Sequence, residues 1–405
     1  MADVTRRLGV DPVVWRMGGA HFVSDAYSNM YAPLLPALIP RLGLSLTAAG
    51  TLAMLFQIAG SVSQLGFGHV ADRWRPRPFL VAGPVLSVAV LSLIGTAWSA
   101  PMLALILMVG GLGSAAFHPS AAAVVHRLGG TRRGLSMAVH ITAGTLGYAL
   151  GPVLFAPFVQ HVGLSWTPVL AIPGLLLLAW ILPRVPDFAA SGTSHLSGLD
   201  ALRPYAKPLF LLYVIVVMRT LTSLSFATFV PVMLTRQGWS VTQAAAAVSA
   251  YLVAAGIGGF IGGPLADRYG PRRVIAVSLL TATPILVTAT MLPGLWFVVL
   301  LTVGGLFLQS TLPVNVTYAH QIAPVNAATV SSLMMGVAWG TGGLSVPLVG
   351  MLADRIGIES ALTGMACLPI IGALAVIPLP RVTGGGPGSG VREAVVVARV
   401  TEVGV

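Results

Sequence analysis

Charge is scarce in this chain. Of 405 residues only 33 are formally charged, 22 basic and 11 acidic, or 8% against roughly 25% in an average soluble domain. A soluble fold of this size needs a polar skin, and 33 charges do not make one. That excludes a soluble enzyme, a disordered chain and a nucleic-acid binder, although the net charge is +11. Cysteine is nearly absent: the single Cys367 excludes a disulfide framework and a cysteine-based metal site within one chain. Lysine is nearly absent too, since only Lys207 accompanies the arginines, a bias that reads as genomic composition. No nucleophile, base and orienting group stand at catalytic spacing, so no enzyme and no cofactor is expected.

What remains is apolar. Residues of the hydrophobic set make up 56% of the chain, and its mean hydropathy is +0.89. A bilayer-crossing helix takes about 20 residues, so twelve take about 240 and leave room for loops and tails. Charges, Pro and Gly mark off twelve such runs, at 14–40, 47–70, 78–98, 101–126, 134–160, 165–183, 208–234, 241–265, 273–292, 295–320, 327–352 and 359–379. The sequence therefore predicts an all-α membrane protein with two six-helix halves, 1–184 and 207–381. Residues 185–206 form a polar linker and 382–405 a disordered, Gly-rich tail. Lipid is its solvent, and a monomer is expected.

Loop charges set the orientation. With the N-terminus inside, eighteen of the 22 basic residues fall at inner ends. Only Arg41, Arg236 and Arg355 fall outside, and Arg219 lies within a span. The excess predicts both termini in the cytoplasm of a cell whose inner membrane holds the protein. Arg6 and Arg7 precede a first run too long for a signal peptide, which is read as a retained span.

The halves repeat. A shift of 195 lays Pro36 on Pro231, Arg41 on Arg236, Gly43 on Gly238, Ser45 on Ser240 and Thr47 on Thr242. Further along, a shift of 194 lays Pro119 on Pro313, His126 on His320 and Gly163 on Gly357. A repeat after six spans keeps both copies the same way up, the arrangement of parallel-repeat transporters.

The loop Gly68-His-Val-Ala-Asp72-Arg73-Trp-Arg75-Pro-Arg77 recurs as Gly263-Pro-Leu-Ala-Asp267-Arg268-Tyr-Gly-Pro-Arg272-Arg273. A small Gly lets two helices approach, and an Asp that pairs with Arg or a helix end forms a latch that opening must break. The pair resembles the signature loop of the major facilitator superfamily, and Ala353-Asp354-Arg355 is a weaker echo. Gly147-x-x-x-Gly151-Pro152 resembles that superfamily's antiporter motif, with Phe155 in place of a later glycine; a close-packing face with a Pro kink explains the same residues.

A narrower resemblance rests on Ala20-His21-Phe22-Val23-Ser24-Asp25, Ala32-Pro33-Leu34-Leu35-Pro36, Phe56–Gln64, Phe117-His118-Pro119 and Arg133-Gly134-Leu135-Ser136. Together these are similar to the fosmidomycin-resistance family of bacterial drug exporters. The resemblance implies the major facilitator fold and export of a small molecule. This chain departs where the family often carries an acid and a base after Phe-His-Pro, since Ser120 and Ala123 stand there. The Arg in span four of many proton-driven drug antiporters is missing as well.

Polar groups in hydrocarbon are costly and mark function. Asp25 is the only acid well inside a span, with His21 one turn earlier on the same face. The pair suits proton coupling, and equally suits a structural hydrogen bond between spans one and five. Arg219 matches Ser24 in the repeat. It suits either an anionic substrate, through paired donors, or an ion pair holding the halves together. His118, Gln57, Tyr27, Tyr31, Phe117 and Asn315 are further candidate substrate-binding residues, and Gln64, Gln309, Phe226, Tyr251, Tyr318 and Trp339 plausible cavity walls. Three intramembrane histidines, His21, His118 and His140, raise the question of a metal. No H-x-x-x-H pair occurs among them and one Asp is the whole acid supply, so no metal site is expected. The functional expectation is a proton-coupled antiporter exporting a small drug or anionic metabolite. The alternatives are a symporter importing an organic anion or sugar, and a non-transporting receptor or assembly subunit.

Overall fold

The computed structural model describes residues 10–73, 75–128, 133–185, 199–323 and 330–381. Trp74, the tail from residue 382 and most of the expected linker lie outside the described residues. Among the described residues there is no strand, and every one of the twelve apolar runs is helical. Among the described residues nine helical stretches are long and apolar enough to cross a membrane by themselves. The protein is a multi-pass membrane protein. Trp98, Trp166 and Trp296 are all more than half exposed.

The expected first, second, tenth and twelfth runs are not single rods. The first is Pro12–Ser28 followed by Tyr31–Leu42, and the tenth is Leu295–Gln309 followed by Thr311–Ile322. Proline explains both breaks. Pro33 has no N–H to give the carbonyl of Asn29, and Pro313 has none for that of Gln309. The second run breaks at Val62, between Leu46–Ser61 and Ser63–Arg73; the twelfth breaks at Leu368, ahead of Pro369. The eleventh carries a π-helical segment, Ser332–Val337, before Ala338–Leu344 and Val346–Ile356.

Helix ends obey local chemistry. Asp11 accepts from the Val13 amide at 2.7 Å, with Pro12 opening the first helix. Ser240 and Gln243 cap each other reciprocally, Ser240 Oγ accepting from the Gln243 amide and Gln243 Oε1 from the Ser240 amide. The repeat is visible in the backbone too. Gly43 and its counterpart Gly238 have φ of 61° and 91°, and Gly163 and Gly357 have 109° and 89°. The same positive-φ turn closes equivalent helices in each half, which is why glycine stands at both copies.

The chain packs as two compact units. One holds residues 1–195, 224–253 and 343–362, and the other holds 196–223, 254–342 and 363–405. These units divide the chain otherwise than the repeat does. Parts of the seventh, eighth, eleventh and twelfth spans pack with the first six.

Candidate functional site

The first unit brings the first, fourth and fifth spans together around Asp25. Close approach of the first and fifth is made by glycine. A Cβ on Gly147 would lie 2.1 Å from the Phe22 carbonyl oxygen, and one on Gly151 would lie 2.6 Å from that of Ala26. Pro152 adds a second device. Lacking an N–H, it leaves the Tyr148 carbonyl one turn back without its helical donor, and Asn29 Nδ2 donates there at 2.7 Å. The antiporter-like motif is thus the surface on which the broken first span rests.

This packing aims four polar rings and chains at one point. His21 Nε2 lies 3.2 Å from one oxygen of Asp25, and His118 Nε2 lies 3.1 Å from the other. His21 Nδ1 is 2.9 Å from the carbonyl oxygen of His140, and His118 Nδ1 is 2.7 Å from that of Ser114. A carbonyl only accepts, so both Nδ1 atoms carry their hydrogens, and both Nε2 atoms are left facing the carboxylate. The His140 ring lies 4.3 Å from that of His21, and Phe117, fully buried, presents its edge at 5.9 Å. His21 is 8% exposed.

The second unit holds Arg219, which is 1% exposed. Its guanidinium donates to Gln309 Oε1 and, at 3.1 Å, to Thr220 Oγ1, and lies 5.7 Å from the centre of the Trp339 ring. Gln309 Nε2 donates onward to Ser223 Oγ at 2.8 Å. In the same unit Asn315 is 1% exposed, and neither side-chain atom has a hydrogen-bond partner among the described residues. The remaining candidates are placed variously. Tyr27 donates to the Leu170 carbonyl and Tyr31 to that of Ala49, so both phenols are tied to backbone. Gln57 is half-buried, and a Cβ on Gly343 would meet its own at 2.9 Å.

Of the loop residues, Gly68, Asp72 and Arg73 lie in the helix Ser63–Arg73, but their side chains are outside the described residues. Arg77 is exposed at the start of the third span. In the second copy Gly263 has open space around it, Asp267 is exposed, Arg268 lies over the Tyr269 ring, and Arg272 donates to the Ile377 carbonyl at 2.7 Å. No ion pair reaches Asp267 among the described residues.

An engaged acid is found instead in the weak third copy. Asp354 accepts from the Leu46 and Thr47 amides, each at 2.9 Å, and from the Thr47 hydroxyl at 2.6 Å. It caps the second span from the eleventh. Gln160 accepts from the Thr242 amide at 2.9 Å and so caps the eighth span from the fifth. Gln160 and Asp354 are repeat partners, as are Thr47 and Thr242, so the two caps are pseudo-symmetric. Glycines again allow the approach: a Cβ on Gly50 would lie 2.7 Å from the Val346 carbonyl oxygen, and one on Gly350 2.3 Å from that of Leu46. Asp354 lies past the apolar run, at an exposed helix end. Slight burial works against its charge, but the Thr47 hydroxyl, the two amides and Arg236 outweigh it and hold the carboxyl below its usual range. The cap therefore stays charged above the ordinary carboxylate range and is lost only as pH falls below it. Asp354→Ala is expected to loosen this end by about 1 kcal/mol, roughly five-fold in its opening equilibrium. The check is the labelling rate of a cysteine placed at buried Val346, in a Cys367→Ser background, by an impermeant maleimide.

The family is decided by sequence comparison. The model of the Major Facilitator Superfamily matches residues 17–224 and 209–401. The chain belongs to the major facilitator superfamily. Among relatives of this superfamily protein, an uncharacterised MFS-type transporter, YfnC, of Bacillus subtilis (strain 168) is 28% identical over 91% of this chain and 93% of its own. The fosmidomycin resistance protein of Escherichia coli (strain K12) is 27% identical over 88% and 90%. Solved structures agree in fold. A bacterial homologue of the human lysosomal transporter Spinster, inward-facing and unoccupied, superposes with a TM-score of 0.76 over 90% of this chain and 95% of that one, at 17% identity. The nucleoside transporter NupG, as a D323A mutant, gives 0.73 over 91% and 99%, at 13% identity.

Sequence reasoning paired His21 with Asp25 but missed the convergence of His118 on the same carboxylate and of His140 on His21. The signal available was that all three histidines fall within spans of one half. It also missed Gln160 and Asp354 as caps, although the 194-residue shift relates them.

Proposed function

We propose that the chain is a proton-coupled antiporter that exports a small anionic molecule by alternating access, with both termini in the cytoplasm. The observation that carries this reading is Asp25 held between His21 and His118. With each Nδ1 committed to a carbonyl, hydrogen bonds at both Nε2···O contacts require two protons shared among three groups. Loss of either proton sets a nitrogen lone pair against a carboxylate oxygen, so the cluster has distinct loaded and unloaded arrangements. Asp25, His21 and His118 carry the protons, and the glycine contacts of the fifth span transmit their state to the first.

Arg219 supplies the positive side of the substrate site, with Gln309 as its hydrogen-bond partner and Asn315 in the same compact unit. A planar guanidinium suits a phosphonate or carboxylate, and the name of the fosmidomycin resistance protein makes that compound the first one to try. The caps at Thr47 and Thr242 close the outer end, while Gly68, Asp72, Arg73, Arg77 and their repeat partners serve the inner one. Asn315, buried with no partner of its own among the described residues, offers its amide N–H groups and its carbonyl oxygen to a ligand.

The test is flux in everted vesicles with an acid lumen. An exporter accumulates labelled fosmidomycin or another anionic substrate, while a symporter loses it. Accumulation that needs no proton gradient, or binding with no flux, would overturn the reading. Arg219→Lys keeps the charge but loses the planar fork. It is expected to raise KM for an anionic substrate about ten-fold or more while leaving the purified protein's Tm near that of the parent. Initial-rate measurements at varied substrate concentration check it.

A further inference from the structure

We propose that His21, Asp25 and His118 form a binding site for one divalent transition-metal ion, for which Zn²⁺ and Co²⁺ are probes. The three donor atoms, two imidazole nitrogens and one carboxylate oxygen, all lie within 4.8 Å of one another. They come from two spans: His21 and Asp25 share one face of the first, and His118 stands on the fourth. Metal bonds of about 2.0–2.1 Å to nitrogen and oxygen put adjacent tetrahedral ligands roughly 3.4 Å apart. His21 Nε2 is 3.2 Å from one oxygen of Asp25 and His118 Nε2 is 3.1 Å from the other, so the carboxylate faces both rings. Closing on one ion takes a turn of the carboxylate as well as of the imidazoles, each about its own side-chain bonds.

The outer contacts are those a metal-binding histidine needs. Such a residue nearly always gives its other ring N–H to a carbonyl or carboxylate, which fixes the ring and exposes the ligating nitrogen. His21 does so at the His140 carbonyl and His118 at the Ser114 carbonyl. The His21 ring is seated by Gly144, where a Cβ would stand 2.3 Å from Nε2, so the fifth span leaves room for the ring. Two nitrogens and one oxygen favour zinc, cobalt, nickel or copper over calcium or magnesium, which prefer oxygen alone. Three ligands leave a coordination position for water or an anionic group. The His118 side chain is 25% exposed, so the site is not sealed.

The experiment is a Co²⁺ titration of the full-length protein in detergent, prepared without a polyhistidine tag. The wild type is expected to bind one Co²⁺ per chain, with visible ligand-field bands that Zn²⁺ abolishes. His118→Gln and Asp25→Asn are each expected to weaken binding about 100-fold, while His161→Gln, at an exposed helix end, leaves it unchanged. A wild type without one-per-chain binding, or binding that survives both ligand substitutions, overturns the proposal. Should His118→Gln fail to fold, Asp25→Asn carries the comparison. The titration involves no proton gradient, so its failure leaves the coupling reading standing, and loss of coupling leaves this site standing.

Discussion

Asp25→Asn is expected to abolish gradient-driven accumulation in proteoliposomes while leaving substrate exchange within a few-fold of wild type. The variant keeps the shape and most of the hydrogen bonding of the site. Its amide nitrogen donates to one Nε2 lone pair, and its amide oxygen accepts from the other imidazole once that ring carries one added proton. The fold therefore survives, since no buried polar atom is orphaned. What disappears is the negative charge that makes a second proton worth holding. The parent needs two protons to satisfy both contacts, and the variant needs one at most and has no carboxylate to release it against. On the proposed cycle the exchange of bound substrate needs no net proton movement, so exchange survives. The measurement is paired: uphill uptake under an imposed pH gradient, and counterflow without one. Uphill transport persisting in Asp25→Asn would remove Asp25 from coupling. Loss of both uphill transport and counterflow would make it a structural or substrate-binding residue.

The twelve runs and the six-plus-six repeat were legible because both depend on local composition. Lipid demands about twenty apolar residues in a row, and a repeat leaves the same Gly, Pro and Thr at a fixed shift. The breaks at Asn29–Met30 and Ser310 were less legible, because proline is common in membrane helices and bends them without always ending them. Pro33 and Pro313 end a helix here because the freed region carries a residue, Asn29 or Ser310, that finds partners elsewhere. Asn29 reaches the Tyr148 carbonyl, and Ser310 meets Ser278 at 2.7 Å. The pair His21–Asp25 was readable from helical spacing alone. His118 and His140 are separated from it by roughly a hundred residues, and only packing of the fourth and fifth spans on the first brings them in. The same holds for Arg219, whose partner Gln309 lies 90 residues away. The caps are a different case. The echo at Asp354 was visible as a copied dipeptide, but its place in the copied loop pointed to an arginine partner. In the structure its carboxylate instead meets a helix N-terminus, which offers unpaired amides to any acid within reach.

Gly147→Ala and Gly144→Ala should separate the fold of this site from its chemistry. Both add one methyl to the face of the fifth span that meets the first. At Gly147 the methyl would meet backbone, the Phe22 carbonyl oxygen at 2.1 Å and its carbon at 2.8 Å. Backbone in a packed helix cannot swing aside, so the two spans must part along several turns. Overpacking of this kind costs about 1–3 kcal/mol, and it also breaks the Asn29 contact to Tyr148. Gly147→Ala is therefore expected to lower Tm clearly and to cut transport more than ten-fold. At Gly144 the methyl would meet the far end of a side chain, His21 Nε2 at 2.3 Å and the neighbouring ring carbons at 2.5 and 2.6 Å. The ring turns away, the backbones keep their spacing, and the contact between His21 and Asp25 is lost. Gly144→Ala should thus keep Tm close to wild type and lose uphill transport nearly as far as His21→Gln does. Because both changes remove the same contact, adding Gly144→Ala to His21→Gln should cost little more. Wild-type uphill transport in Gly144→Ala would take the His21 contact out of the coupling step. A loss of Tm equal to that of Gly147→Ala would mean that the ring, like the backbone opposite Gly147, has nowhere to go.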